Sequence, residues 1–304
     1  RTLEKSGPDV DIRQAGIDFA NSRYRLWHAN RAGRDNLRSG IAPPWSGHPE
    51  FNKHADDIDY QIEADYAGLI SPGMPQSAIR LGDTFGRLMN YGDGLYGGNF
   101  VAGMYAEAFF ESDLEKIVQA GLKCIPAESQ YAEAIRDVLL WHQENPEDWT
   151  RTWEQVNRKY QKNPDYRRFS CNDPGDDFNI DAKINGAYIV IGLLYGNGDP
   201  DRTIDIATRC GQDSDCNPSN AAGILFTTMG KAALPDKFTS ALDPEPKFSY
   251  TDYNFTGLTG VCEKLARESI IKAGGRIETD AEGREFFIIP EQRINPGTLE
   301  QCWE

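Results

Sequence analysis

The sequence predicts an all-α protein, a bundle of many helices with a small β-hairpin appended near its C-terminal end. Apolar residues recur at helical spacing through most of the chain, and alternation of the strand kind is confined to residues 276–290. Cap-plus-proline pairs, Asp199 with Pro200 and Asn217 with Pro218, mark helix starts, because proline lacks only an N–H that would be unpaired there anyway. Two segments, 100–110 and 180–195, are apolar or small on every side, which suits helices surrounded by other helices.

The elements follow in order. Residues 10–38 read as two helices, carrying Ile12, Ala15, Ile17 and Phe19, then Leu26, Trp27 and Ala29, with Arg31, Arg34 and Arg38 as a solvated basic face. Residues 40–54 form a Pro- and Gly-rich loop of a length that is often functional. It leads into Asp56, Asp57, Asp59, Glu63 and Asp65, an acidic helix start near Asp57 in which Gln61 and Asp65 share one face and Ile62, Tyr66 and Leu69 another. Acids this dense need solvent or cations. Pro75 opens a helix with Ile79, Leu81, Phe85 and Leu88, and residues 90–99 read as a Gly-rich connection with neither a GxGxxG nor a Walker pattern for phosphate. The helix over 100–110, built on Ala102, Gly103, Ala106 and Ala108, is expected to be central. Ser112 and Glu115 fit a capping box, helices over about 128–144 and 149–160 follow with Asp148 capping the second, and 163–179 is a polar loop. The apolar helix over 180–195 holds Asn185, which must find hydrogen-bond partners. A helix from Pro200 runs up to Gly211. The tail has an irregular stretch over 234–253, an amphipathic helix over 258–273 and the hairpin around Glu282 and Gly283.

Composition narrows the function. At 304 residues the chain can bury a substantial core as one domain or two. A formal charge of −15 argues against nucleic acid as a partner, since that needs a basic surface to displace counterions. An anionic ligand must therefore be held locally, by metal ions, backbone amides or helix N-termini. The longest apolar run, 184–195, is too short to span a bilayer, so no membrane partner is expected. No signal peptide is visible, which favours a soluble, cytoplasmic chain, and the opening RTLEKSGPDVD reads as the middle of something, either after a processed leader or in a fragment. Six cysteines without a CxxC pair or His-linked spacing argue against structural zinc and leave the disulfide state open. Nothing in the pattern sets an oligomeric state.

The chemistry concentrates in residues 211–225, GQDSDCNPSNAAGIL, which set Asp213 and Asp215 one residue apart just before a helix expected to begin near Pro218 with Asn217 as its cap. Ionised oxygens at this spacing can reach one hard cation, and the positive end of the helix dipole favours them charged. Helix capping alone would also account for an isolated pair. A calcium EF-hand loop does not fit, because Pro218 stands where the turn requires Gly and Ile224 where a bidentate Glu is needed.

The segment NGAYIVIGLLYGNGDPDRTIDIATRCGQDSDCNPSNAAGIL resembles the stretch of ADP-ribosylglycohydrolases in which a helix, a GD turn and another helix lead into a GxDTDxN or GGDTDT motif whose acids bind a pair of magnesium ions. QIEADYAGLISPGMPQSAIRLGDTFGRLMNYGDGLYGGNFVAGMYAEAF is similar to that family's substrate loop, helix, PGxP turn and Gly-rich bend. The likeness covers about 10–236. It implies a multi-helix orthogonal bundle over 1–236, and the residues beyond the likeness, 237–304, read as an extension with helix and hairpin. By the same resemblance Asp213 and Asp215 would be metal ligands for Mg2+, with Mn2+ possible, while Ser214 stands where Thr is usual and Cys216 where a Thr often adds a hydroxyl. A thiol is a poor magnesium ligand. Asp57, Asp59, Gln61 and Asn90 would line the substrate pocket, with acids where the family has Gly, and Asn185 would brace it. The family's early Asp-Asp motif would lie upstream of Arg1, so that half the metal shell and the catalytic acid are missing; alternatively Asp56 and Asp57 take that role. The implied activity is hydrolysis of an N- or O-glycosidic bond of ADP-ribose or a related glycoside, on a small molecule or an ADP-ribosylated substrate. The alternative is a catalytically silent relative that binds ADP-ribose, a nucleotide or a sugar.

Overall fold

Caps and apolar stripes divide the chain into helices much as the sequence implies. The computed structural model describes residues 1–163, 166, 169–170 and 180–303. Among them the order is α1 (Thr2–Ser6), α2 (Ile12–Ala20), α3 (His28–Arg38), α4 (Asp59–Glu63), α5 (Asp65–Leu69), α6 (Pro75–Phe85), α7 (Asp93–Ala108), α8 (Leu114–Lys123), α9 (Gln130–Glu144), α10 (Trp149–Val156), α11 (Ala182–Gly196), α12 (Pro200–Arg209), α13 (Cys216–Met229), α14 (Phe255–Lys272), then strands β1 (Arg276–Thr279) and β2 (Glu285–Ile288). The fold is all-α apart from that antiparallel hairpin, which pairs Arg276 with Ile288 and Thr279 with Glu285. Among the described residues no helix is long and apolar enough to cross a membrane.

Two helices form the axis of the molecule. Every residue of α11 is buried, as is every residue of α7 except Glu107, so both lie inside the bundle. Helix α11 packs against α9, α12 and α13, and α7 against α4, α5, α6 and α8. The core between them is filled by Phe100, Met104, Tyr131, Ile135, Tyr188 and Ile189 among others. Their apolar side chains drive this burial, worth about 1.5–3 kcal/mol for each large one fully covered.

Several local expectations need correction. The Gly-rich stretch at 90–99 is not a connection beyond Gly92; the first turns of α7 begin at Asp93. Its glycines serve close packing: a Cβ on Gly98 would lie 2.0 Å from the Tyr60 ring, and one on Gly94 2.4 Å from the Ala55 carbonyl oxygen. Helix α13 starts at Cys216 rather than Pro218, so Asn217 lies inside it. Asp113, not Ser112, caps α8, accepting from Glu115 N and Lys116 N. The acidic helix is two short ones, α4 and α5, starting at Asp59 rather than Asp57. Helix α10 stops at Val156 and continues as a π turn over Asn157–Gln161. Arg34 is buried and donates to the Tyr24 carbonyl, so the basic tract is not wholly a solvated face. Most of the polar loop expected over 163–179 lies outside the described residues.

Candidate active site

The acidic turn between α12 and α13 is shaped by two residues of positive φ, Gly211 at 89° and Gln212 at 57°. They bring Asp213, Asp215 and Cys216 together, each offering a ligand atom within 4.8 Å of the others. Asp213 Oδ1 accepts from Cys216 N at 3.1 Å, so the first acid closes the N-terminus of α13. Burial and the neighbouring Asp215 hold the Asp213 carboxyl above the usual range, while the hydrogen bond with Asp213 holds Asp215 below it. Two carboxyls this close repel each other when both are ionised, which is why one is held up and the other down. Burial, then Asp213 and Asp215, push the Cys216 thiol up to about 12, with Asp59 adding to the effect.

The second part is the loop before α4. Its backbone is fastened to the start of α11, Ile58 N donating to Ile180 O at 2.9 Å and Ala182 N to Asp56 O at 3.2 Å. Asp57 is fully buried, with Oδ2 2.7 Å from His54 Nδ1, and the Ser170 hydroxyl donates to both Asp56 and Asp57. Burial pushes Asp57 up to about 7. Asp59, 5% exposed, accepts from Asn30 N at 2.9 Å and is also held up by burial. The rings of His28 and His54 lie 5.5 Å apart above this loop, and His28 feels the charge of Asp59.

Asn185 links the two parts. One turn into α11, its Oδ1 accepts from Asp213 N at 3.1 Å and from Asn217 Nδ2 at 2.8 Å, and its Nδ2 donates to Asp181 O at 2.9 Å. Asp181 is the residue bridged to Asp57. Asp57, Asp59, Asn185 and Asp213 therefore gather at the N-terminal end of α11, where α4 also meets α13. Asn90 and Gln61 lie beneath, both buried. Asn90 accepts from Tyr60 N and donates to Ala55 O and to Asp57 O at 2.8 Å, holding the acidic loop from below. Gln61 Oε1 accepts from the Tyr131 hydroxyl at 2.8 Å.

Sequence reasoning missed the charge cluster under the loop. Lys183 is fully buried, its Nζ 2.7 Å from Asp181, 3.8 Å from Asp93 and 3.9 Å from Asp56. Burial would lower its pKa, but the three acids outweigh that and hold it above the usual lysine range. A lone lysine in an otherwise apolar helix was the available signal, since buried charge must be paired. His28 and His54 carried no such signal.

The residues that could hold a hard divalent cation are the two carboxylates, whose ligand atoms lie within 4.8 Å of each other and of the Cys216 thiol, a poorer ligand for such an ion. A family model described as ADP-ribosylglycohydrolase matches residues 3–273. No curated protein and no solved structure matches the chain.

Proposed function

Because this chain belongs to the ADP-ribosylglycohydrolase family, a match spanning residues 3–273, we propose that it hydrolyses an N- or O-glycosidic bond at the anomeric carbon of ADP-ribose in a metal-dependent reaction. One observation carries the reading: the Asp213–Asp215 turn and the loop of Asp57 and Asp59 meet at one end of α11, tied by Asn185. Asp213 and Asp215 would hold Mg2+, or Mn2+ in its place. Bound there, the ion would orient the ribose and make water a better nucleophile. A carboxylate of the site would take a proton from the attacking water as its oxygen bonds to the anomeric carbon, and the leaving group would depart with the electron pair of the broken glycosidic bond and take up a proton in turn. The developing oxocarbenium charge is stabilised by the surrounding carboxylates.

The protein's own residues do the positioning. Asp57 holds the His54 ring through its Nδ1, which leaves the other ring nitrogen without that partner on a ring that is partly exposed. Asp59 supports the start of α3 through Asn30 and lies near His28. Asp57 and Asp59 are themselves buried, so they would act on the substrate through the residues they hold, and their negative charge would disfavour a phosphate against this loop. Asn90 and Gln61 would act from beneath rather than by touching substrate, since both are buried.

The test uses the full chain. Calorimetric titration with Mg2+ and Mn2+, and release of ADP-ribose from an ADP-ribosylated peptide, should both be seen in the native protein and lost in the double variant Asp213→Ala, Asp215→Ala. Native protein that binds neither ion would overturn the metal assignment. The thiol of Cys216 at a ligand position favours a second reading, a silent relative; ADP-ribose binding without any release would establish it.

A further inference from the structure

The last residues of the chain lie beyond the matched 3–273, yet they return to the candidate site. Residues 289–303 form no helix or strand and are held by side chains instead. Gln292 clasps the start of α6, accepting from Ser77 N at 3.0 Å and donating to Ser77 Oγ at 2.9 Å, and Asn295 N donates to Gln76 at 2.6 Å. Further on, the Tyr96 hydroxyl donates to Thr298 O at 3.2 Å and accepts from Glu300 N at 2.6 Å, while Glu300 pairs with Arg87 at 3.0 Å. Cys302 is buried against Gly92 and Tyr91, and Gly92 sits at φ 53°, where a side chain would be strained and would reach Cys302 Sγ at 3.4 Å. The run ends with the Trp303 ring 5.9 Å from Lys183 Nζ.

That ending is what gives the segment a role. Among the described residues Lys183 is the cation set between Asp56, Asp93 and Asp181, and Asp93 Oδ2 has no hydrogen-bond partner among them. Such a cluster keeps its geometry only while water is excluded and its charges stay close. Trp303 supplies an aromatic face toward the ammonium, and Cys302 closes the side next to Asp93 and Asp56. Asp56 is the neighbour of Asp57, and its carbonyl is hydrogen-bonded to the start of α11.

We propose that residues 289–303 are a strap that seals the Lys183 cluster, and that Glu300 and Trp303 thereby position the loop from His54 to Asp59. They are positioning residues that act through Lys183 and Asp56, and the proposal deepens the hydrolase reading given above without needing turnover to be tested.

Peptide-resolved hydrogen exchange on the full chain, without substrate, is compared with a chain ending at residue 289 and with Trp303→Ala, Trp303→Phe and Glu300→Gln. Exchange over 54–60 should quicken at least about tenfold in the shortened chain and in Trp303→Ala, while 186–196 in α11 stays as protected as before. Trp303→Phe, which keeps an aromatic face, should restore most of the protection. Glu300→Gln leaves the backbone bond to Tyr96 in place but removes the ion pair, and should speed alkylation of Cys302 by N-ethylmaleimide. Unchanged exchange over 54–60 in the shortened chain, or equal behaviour of Trp303→Ala and Trp303→Phe, overturns the proposal. Should the shortened chain lose protection throughout, the Ala and Phe pair decides. Failure of the hydrolase reading would show instead as absent turnover in a native chain whose strap responds as described.

Discussion

Replacing Asn185 by leucine tests the link on which the site geometry depends. Leucine keeps the branching and the number of heavy atoms but is bulkier than the amide, so no cavity opens and crowding adds to the loss. Three hydrogen bonds are lost, and they are not equivalent. Asp181 O keeps its helical partner, Asn185 N at 3.2 Å, so the donated bond matters least. Asn217 is fully buried and its Nδ2 donates to Asn185 Oδ1 at 2.8 Å, so loss of that acceptor costs about 1–3 kcal/mol. Asp213 N sits on a half-exposed turn where water can replace the lost acceptor, so that bond adds about 0.5–1.5 kcal/mol. The sum is about 3 kcal/mol. Equilibrium urea unfolding, with the slope unchanged, should read that loss. The acidic turn, released from α11, should also bind Mg2+ more weakly than in the native chain. A loss under about 1 kcal/mol with unaltered metal affinity would refute the reasoning, because it would mean the turn holds its shape without α11.

Two further outcomes follow from the same structure. Gly98→Ala sets a Cβ 2.0 Å from a carbon of the buried Tyr60 ring and should destabilise by about 3 kcal/mol or more, whereas Gly260→Ala in α14 meets nothing within 4 Å and should raise the melting temperature through helix propensity worth about 1 kcal/mol. Burial raises Asp57 to about 7 and Asp93 to about 6, above their unfolded values, so the stability tied to their protonation is whole below about pH 4 and is lost as pH rises through 6 to 7. With chelator present, the urea midpoint should therefore be higher at pH 5 than at pH 8, and a midpoint that rises with pH over this window would contradict the burial of these two carboxyls.

How much of this was legible in the sequence depends on whether the cause was local. The helix starts at Pro75 and Pro200 and the caps Asp148 and Asp199 are set by neighbours within one turn, and the structure has them where the sequence puts them. The character of α11 was legible too, since a stretch apolar on every side but for Lys183 and Asn185 near its start suits the interior. Residues 90–99 were misread because glycine carries the same letter whether it makes a turn or admits a neighbouring ring, and the deciding neighbours, Tyr60 and Ala55, are more than thirty positions away. The candidate site divides in the same manner. The Asp213 and Asp215 turn is a local pattern, but its connection to Asp57 runs through Asn185 and Asp181, and no spacing along the chain expresses that route.

The crowding of acids at this end of α11 also has a physical explanation in the helices around it. Asp181 caps α11, accepting from Lys183 N at 2.9 Å and Ile184 N at 3.2 Å, and Asp213 closes α13 in the same manner. Two long helices thus present their positive ends toward the same group of carboxylates, each offering about half an elementary charge. Lys183 adds a full charge from beneath. These are fixed contributions that remain when solvent is displaced, and they do not fully balance Asp56, Asp57, Asp59, Asp93, Asp181, Asp213 and Asp215. Burial, with their mutual repulsion adding to it at Asp57, Asp93 and Asp213, holds Asp57, Asp59, Asp93 and Asp213 above the usual range, and a cation at the exposed edge of the group would offset part of that repulsion. Among these acids the exposed edge is the Asp213 and Asp215 turn, so under the proposed metal assignment a divalent ion added to the protein should bind there first, and more weakly as the pH is lowered into the carboxylate range.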